Sequence, residues 1–185
     1  MEAILLAGGL GTRLRSVVQD RPKPMALIQG KPFMEYVIRE LLRQGITDVI
    51  FAVGYKGSMV EEYFGDGSRF GIRARYAYEE TLLGTAGAIK NGAAQMRGEQ
   101  ALVLNADTFY RLDYRRLEAV KRQLRLDMAL VLRQVPDVSR YGRAVLKDGM
   151  LTAFNEKTSE PAPGTINGGV YLLEKRLIQE IPEGK

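Results

Sequence analysis

Short apolar runs alternate along this chain with stretches whose apolar residues recur at helical spacing. Residues 2 to 7 form the first run and end at Gly8-Gly9, which reads as a buried strand entering a glycine-rich loop. The loop is expected to continue to Pro24, long for a compact domain and therefore a place to look for function. Phe33, Val37, Ile38, Leu41 and Leu42 share one helical face, and Gly45 stands where a C′ glycine ends a helix. Residues 49 to 53 are a second buried strand, stopping at Gly54. A short helix over 58 to 64 follows, with Met59, Val60, Tyr63 and Phe64 on one side.

The alternation in 72 to 78 predicts a strand, and 83 to 85 a turn that opens a helix through about residue 96. Residues 101 to 104 are a third buried run, ending at Asn105-Ala106-Asp107. A helix over roughly 113 to 124 leads into a strand at 128 to 132. Three short strands, at 143 to 146, 151 to 155 and 168 to 173, precede a helical tail. Strands alternating with helices of this length imply βαβ units and a mainly parallel sheet. Ligands bind beyond the C-terminal ends of such strands, which directs attention to the loops after Ala7, Val53 and Leu104.

The 185 residues suit one domain, and an apolar fraction of 45% with 26% charged residues is ordinary for a soluble globular protein. Cysteine and histidine are both absent. That removes disulfides, thiol nucleophiles, Ser-His-Asp triads and His- or Cys-ligated metals, and leaves carboxylates, Lys and Tyr as proton carriers. The N-terminus lacks a basic region and reads as a strand; no window approaches a membrane span, so a cytoplasmic location is expected. The net charge of +5 suits a small polyanionic substrate. Arg111, Arg115 and Arg116, with Lys121, Arg122 and Arg125, fall at spacings that suit the wet face of a helix. Neither a nucleic-acid nor a membrane partner is expected, while a homo-oligomer stays open.

The loop Gly8-Gly9-Leu10-Gly11-Thr12-Arg13-Leu14 carries the strongest chemical signal. Its glycines let the backbone approach a phosphate, and Arg13 adds a planar fork for phosphate oxygens. A dinucleotide-binding loop would need a third glycine where Leu14 stands, and a Walker A loop needs Gly-Lys-Ser/Thr. In Arg21-Pro22-Lys23-Pro24, two prolines fix the backbone around one lysine and aim it.

The segments Ala7 to Leu14 and Arg21 to Met25 resemble the signature of the sugar-1-phosphate nucleotidyltransferases. The likeness continues in order through Leu83-Gly84-Thr85-Ala86-Gly87, Leu104-Asn105-Ala106-Asp107, Phe154-Asn155-Glu156-Lys157 and Asn167-Gly168-Gly169-Val170-Tyr171. The resemblance implies a Rossmann-like three-layer α/β sandwich with a mainly parallel mixed central sheet. It also implies condensation of a nucleoside triphosphate with a sugar 1-phosphate, with Mg²⁺ as cofactor. Arg13, Lys23 and Asp107 would be catalytic, with Arg13 on the β- and γ-phosphates, Lys23 on the α-phosphate and Asp107 on the metal. Leu6, Ala7, Gly8, Gly9, Gly11 and Thr12 would line the nucleotide, with Leu83, Gly84 and Thr85 closing over the base. Tyr141, Gly142, Glu156, Lys157, Asn167 and Gly168 would hold the sugar phosphate.

Within the family the chain looks most similar to the D-glycero-D-manno-heptose 1-phosphate guanylyltransferases, with mannose-1-phosphate guanylyltransferases a near alternative. Glu79 or Glu80 is a candidate acceptor for guanine N1–H and its exocyclic amine, which favours GTP. The family's second metal-binding Asp comes from a later segment, and no Asp follows Asp148. A single domain lacking its C-terminal segment is therefore the expectation.

Overall fold

Strand β1 (Glu2–Leu6) is central because of its composition: Ala3, Ile4 and Leu5 are wholly buried, so both of its faces are covered. The structure, a computed structural model, describes residues 1–9, 20–157 and 160–182. A two-residue hairpin not anticipated from the sequence follows, β2 (Leu27–Ile28) and β3 (Lys31–Pro32). Gln29 and Gly30 turn it with φ of 50° and 79°, the left-handed pair that a tight hairpin needs.

Helix α1 (Phe33–Arg43) buries Met34, Val37, Ile38 and Leu41 along one stripe, and Gly45 with φ 77° closes its end. Each such buried side chain contributes roughly 1.5–3 kcal/mol. Strand β4 (Asp48–Val53) pairs parallel with β1, Ile4 opposite Ile50, and is fully buried from Val49 to Val53. Helix α2 (Gly57–Phe64) lays Phe64 on the ring of Phe51, with centroids 5.1 Å apart. β5 (Arg73–Tyr78) pairs parallel with β4. Helix α3 (Gly84–Ala93) ends three residues before the expected position and approaches β1 closely, since a Cβ on Gly92 would meet Ile4 Cγ2 at 2.9 Å.

β6 (Gln100–Asn105) completes the parallel set, pairing with β1 so that Leu6 faces Asn105. Helix α4 (Tyr114–Gln123) is capped by Asp113, whose carboxylate accepts from the amides of Arg115 at 3.0 Å and Arg116 at 3.2 Å. Lys121 departs from the wet face expected of it: it is buried and paired with Glu174. The apolar stretch of α4 is short, and a lysine stem fills its inner face while the ammonium finds a carboxylate.

The chain divides into two compact units, Met1–Ala129 with Leu172–Lys185, and Leu130–Tyr171. The strand order in the first is β5-β4-β1-β6. β7 (Met128–Val135) and β10 (Gly164–Glu174) pass from one unit to the other, and helix α5 (Lys175–Gln179) belongs to the first. In the second unit β8 (Arg143–Lys147) and β9 (Met150–Asn155) form an antiparallel hairpin turned by Asp148 and Gly149, and β10 pairs antiparallel with β8. β10 starts earlier than its apolar run predicts and passes β7 so closely that a Cβ on Gly168 would lie 2.8 Å from the Val131 carbonyl oxygen. The sheet is therefore mixed, parallel in the first unit and antiparallel across β9-β8-β10.

Candidate functional site

The parallel strands deliver three segments to their C-terminal edge. Ala7 donates its amide to Ala52 at 2.8 Å and Ala106 donates to Leu6 at 3.1 Å, so the ends of β1, β4 and β6 are tied together just where each loop departs. Leu6 is half-buried, Ala7 and Gly8 are buried, and Gly9 is exposed. Gly8 has two close neighbours. A Cβ on it would lie 2.5 Å from Glu79 Oε1, and a Cβ on Gly54 would lie 3.0 Å from the Gly8 carbonyl oxygen. At Gly54 the obstacle is backbone, whereas at Gly8 it is the end of a side chain that can move.

Glu79 follows β5, its amide donating to the Val53 carbonyl at 2.8 Å. Its Oε2 accepts from the Leu83 amide at 3.3 Å, while its buried Oε1 has no hydrogen-bond partner among the described residues. Burial pushes this carboxyl above its ordinary range, partly offset by the Leu83 amide. Glu80 is exposed. The sequence left the two glutamates equivalent, and the strand register separates them: Tyr78 is the last residue paired with β4, and the next side chain is the one beside Gly8. Gly84, with φ 69°, opens α3, and Leu83, Gly84 and Thr85 range from half-buried to exposed.

Lys23 opens a 3-10 turn, Lys23–Met25, in which Pro24 and Met25 are buried. Met25 donates to Pro22 at 2.8 Å and Ala26 to Lys23 at 3.1 Å. The stiff arm read from the two prolines is thus pinned at its base. Its ammonium lies 2.5 Å from Asp107 Oδ2, bringing together residues 84 positions apart. Asp107 follows β6, and its Oδ1 accepts from the Thr108 hydroxyl at 3.2 Å. Ala106 is wholly buried. Gly11, Thr12 and Arg13 lie outside the described residues.

The remaining candidates belong to the second unit. The register sets Arg143 opposite Asn155 and Ile166, and Gly142, Glu156 and Asn167 are the chain neighbours of these three residues. A Cβ on Gly142 would meet the Asn155 carbonyl oxygen at 3.3 Å. Asn167 is fixed at both ends of its amide, donating to the Tyr171 hydroxyl at 2.6 Å and accepting from the Gly169 amide at 2.8 Å. Tyr141, Glu156 and Lys157 are exposed, and Gly168 is buried against β7.

Residues 2–184 match the model of the family described as Nucleotidyl transferase. The chain belongs to that family. It is 42% identical over 179 residues to the D-glycero-alpha-D-manno-heptose 1-phosphate guanylyltransferase of Aneurinibacillus thermoaerophilus, covering 97% of this chain and 77% of that protein. It is 43% identical over 181 residues to the protein of the same name from Campylobacter jejuni, covering 97% and 79%. Among solved structures, HddC from Yersinia pseudotuberculosis complexed with GMP-PN superposes with a TM-score of 0.84 at 34% identity, covering 100% of this chain and 81% of that one. As a nucleotidyltransferase the chain is an enzyme that moves a nucleotidyl group, and its α/β fold with a mixed sheet is that of solved nucleotidyltransferases. No helix among the described residues is long and apolar enough to cross a membrane.

Proposed function

We propose that this nucleotidyltransferase joins GTP to D-glycero-D-manno-heptose 1-phosphate, giving the GDP-sugar and pyrophosphate. The observation that carries the choice of base is the Glu79 Oε1 beside Gly8, which has no hydrogen-bond partner among the described residues. A carboxylate accepts two hydrogen bonds side by side, and guanine offers N1–H and an amine in that arrangement. Uracil and thymine do not. The likeness to the two heptose 1-phosphate guanylyltransferases supports the sugar. The reaction draws on GTP, which suits the cytoplasmic location expected above.

The chemistry asks little of proton carriers. An oxygen of the sugar phosphate is already anionic and attacks the α-phosphorus, the bond to the β-phosphate breaks, and pyrophosphate leaves. Two polyanions have to be brought into line and the developing charge held. Lys23, aimed by its proline-flanked turn, supplies a cation to the α-phosphate. Arg13 does the same for the departing pyrophosphate. Gly8, Gly9, Gly11 and Thr12 are assigned to the nucleotide, and Leu83, Gly84 and Thr85 to the base. Tyr141, Gly142, Glu156, Lys157, Asn167 and Gly168 are assigned to the sugar phosphate.

The donor set fits magnesium. Asp107 offers hard carboxylate oxygens, and the described residues contain no group of three or more acidic, His or Cys side chains that could cage a metal. A cation sharing one carboxylate with substrate phosphates is the usual magnesium arrangement. When bound it supplies Lewis-acid charge neutralisation.

Substitution tests the assignment. Lys23→Ala and Asp107→Asn are each expected to lower kcat for pyrophosphate release about 10²–10³-fold, the cost of removing one preorganised charge. Melting temperatures should stay near that of the parent protein, because the pair is partly exposed. A tenfold or smaller loss in both variants would remove these residues from the reaction.

A further inference from the structure

We propose that Lys23 guards the metal-binding carboxylate: in the empty enzyme its ammonium holds Asp107, and the arriving triphosphate draws it off, so that metal and nucleotide each strengthen the binding of the other. The inference rests on the reading of Asp107 as metal ligand and Lys23 as phosphate ligand, and adds a coupling between the two.

The geometry sets the ammonium against the metal. Lys23 Nζ sits 2.5 Å from Asp107 Oδ2, within hydrogen-bond distance. A magnesium ion on the same oxygen would sit at about 2.0–2.1 Å, where the ammonium's positive charge opposes it. The other oxygen is engaged by the Thr108 hydroxyl. The Lys23 backbone cannot retreat, since Pro22 and Pro24 restrict it and the turn is closed by two backbone hydrogen bonds. Its four-carbon side chain can swing. A phosphate gives the ammonium a second anionic partner and frees the carboxylate.

Metal alone must displace an ion pair and leave Lys23 uncompensated beside a new dication. Metal with triphosphate leaves every charge matched. Each ligand therefore raises the affinity of the other by the same factor, because the coupling is reciprocal. The empty enzyme meanwhile keeps the carboxylate neutralised without a resident metal.

Manganese binding separates this proposal from the reading beneath it. Free Mn²⁺ is followed by electron paramagnetic resonance with the ligand-free protein, and protein-held Mn²⁺·GTP by water-proton relaxation. The proteins are the parent, Lys23→Met, Lys23→Arg, Asp107→Asn and the Lys23→Met/Asp107→Asn double variant. Lys23→Met is expected to bind Mn²⁺ about tenfold more tightly than the parent, the effect of one charge a few ångströms away in a watery site. Lys23→Arg should show no gain, and the gain of Lys23→Met should vanish in the double variant. Equal Mn²⁺ binding by the parent and Lys23→Met, with Mn²⁺·GTP still lost in Asp107→Asn, would overturn the guard and leave the metal site standing. Retention of Mn²⁺·GTP by Asp107→Asn would overturn both.

Discussion

At Glu79 a carboxylate oxygen is buried against Gly8 with no partner among the described residues, and burial raises the pKa of the group above its ordinary 4.5. A carboxyl whose folded pKa is raised favours the native state most when protonated. That contribution is lost as pH rises from the unfolded value through the folded one. Glu79→Gln should therefore raise the melting temperature of the ligand-free protein at pH 8 and change it little near pH 4. With substrate present the order reverses. The glutamine presents an N–H₂ toward guanine's own amine, and kcat/KM for GTP is expected to fall about 10–100-fold. Steady-state kinetics at pH 8 checks this, and an unchanged GTP preference would remove Glu79 from base recognition. The sequence narrows the candidates to Glu79 and Glu80 without separating them, because which side chain meets Gly8 depends on where β5 stops pairing with β4. Lys23 stands out by its flanking prolines, and Asp107 only through the family resemblance. Their contact was not legible, since nothing in a sequence shows that residues 84 apart share a proton donor and acceptor.

Among the elements, the glycines divide by what a side chain would strike. A methyl at Gly8 meets the tip of a flexible glutamate, whereas a methyl at Gly168 meets the carbonyl oxygen of Val131 on the neighbouring strand. Gly8→Ala is accordingly expected to displace Glu79 and raise the KM for GTP while the melting temperature stays nearly constant. Gly168→Ala should instead destabilise its unit by about 1–3 kcal/mol, since backbone has to move. Paired melting and kinetic measurements on the two variants separate these outcomes; a large loss of stability in Gly8→Ala would contradict the reading. The buried strands and the α1 stripe were readable because both depend on unbroken apolar patterns. The β2-β3 hairpin was not, being two residues a side with Leu27 and Ile28 both exposed. Lys121 misled for the opposite reason: its charge suggested water, and Glu174, on a strand 53 positions away, is what lets it be buried.

For the whole molecule, the order of motifs along the chain announced the family before any distance was known. In the parallel order β5-β4-β1-β6, the loops after β1, β5 and β6 leave from one edge. The division into two units was not visible, because no change in composition or linker marks residue 130 or residue 171. Guanylyl transfer to a heptose 1-phosphate releases one pyrophosphate per turnover, which a coupled assay follows. The purified protein is given Mg²⁺, each common nucleoside triphosphate in turn, and D-glycero-D-manno-heptose 1-phosphate or mannose 1-phosphate. Release is expected with GTP and the heptose phosphate, at least about tenfold faster than with any other pairing, and absent when the sugar phosphate is omitted. Equal rates with UTP, or faster turnover of mannose 1-phosphate, would contradict it.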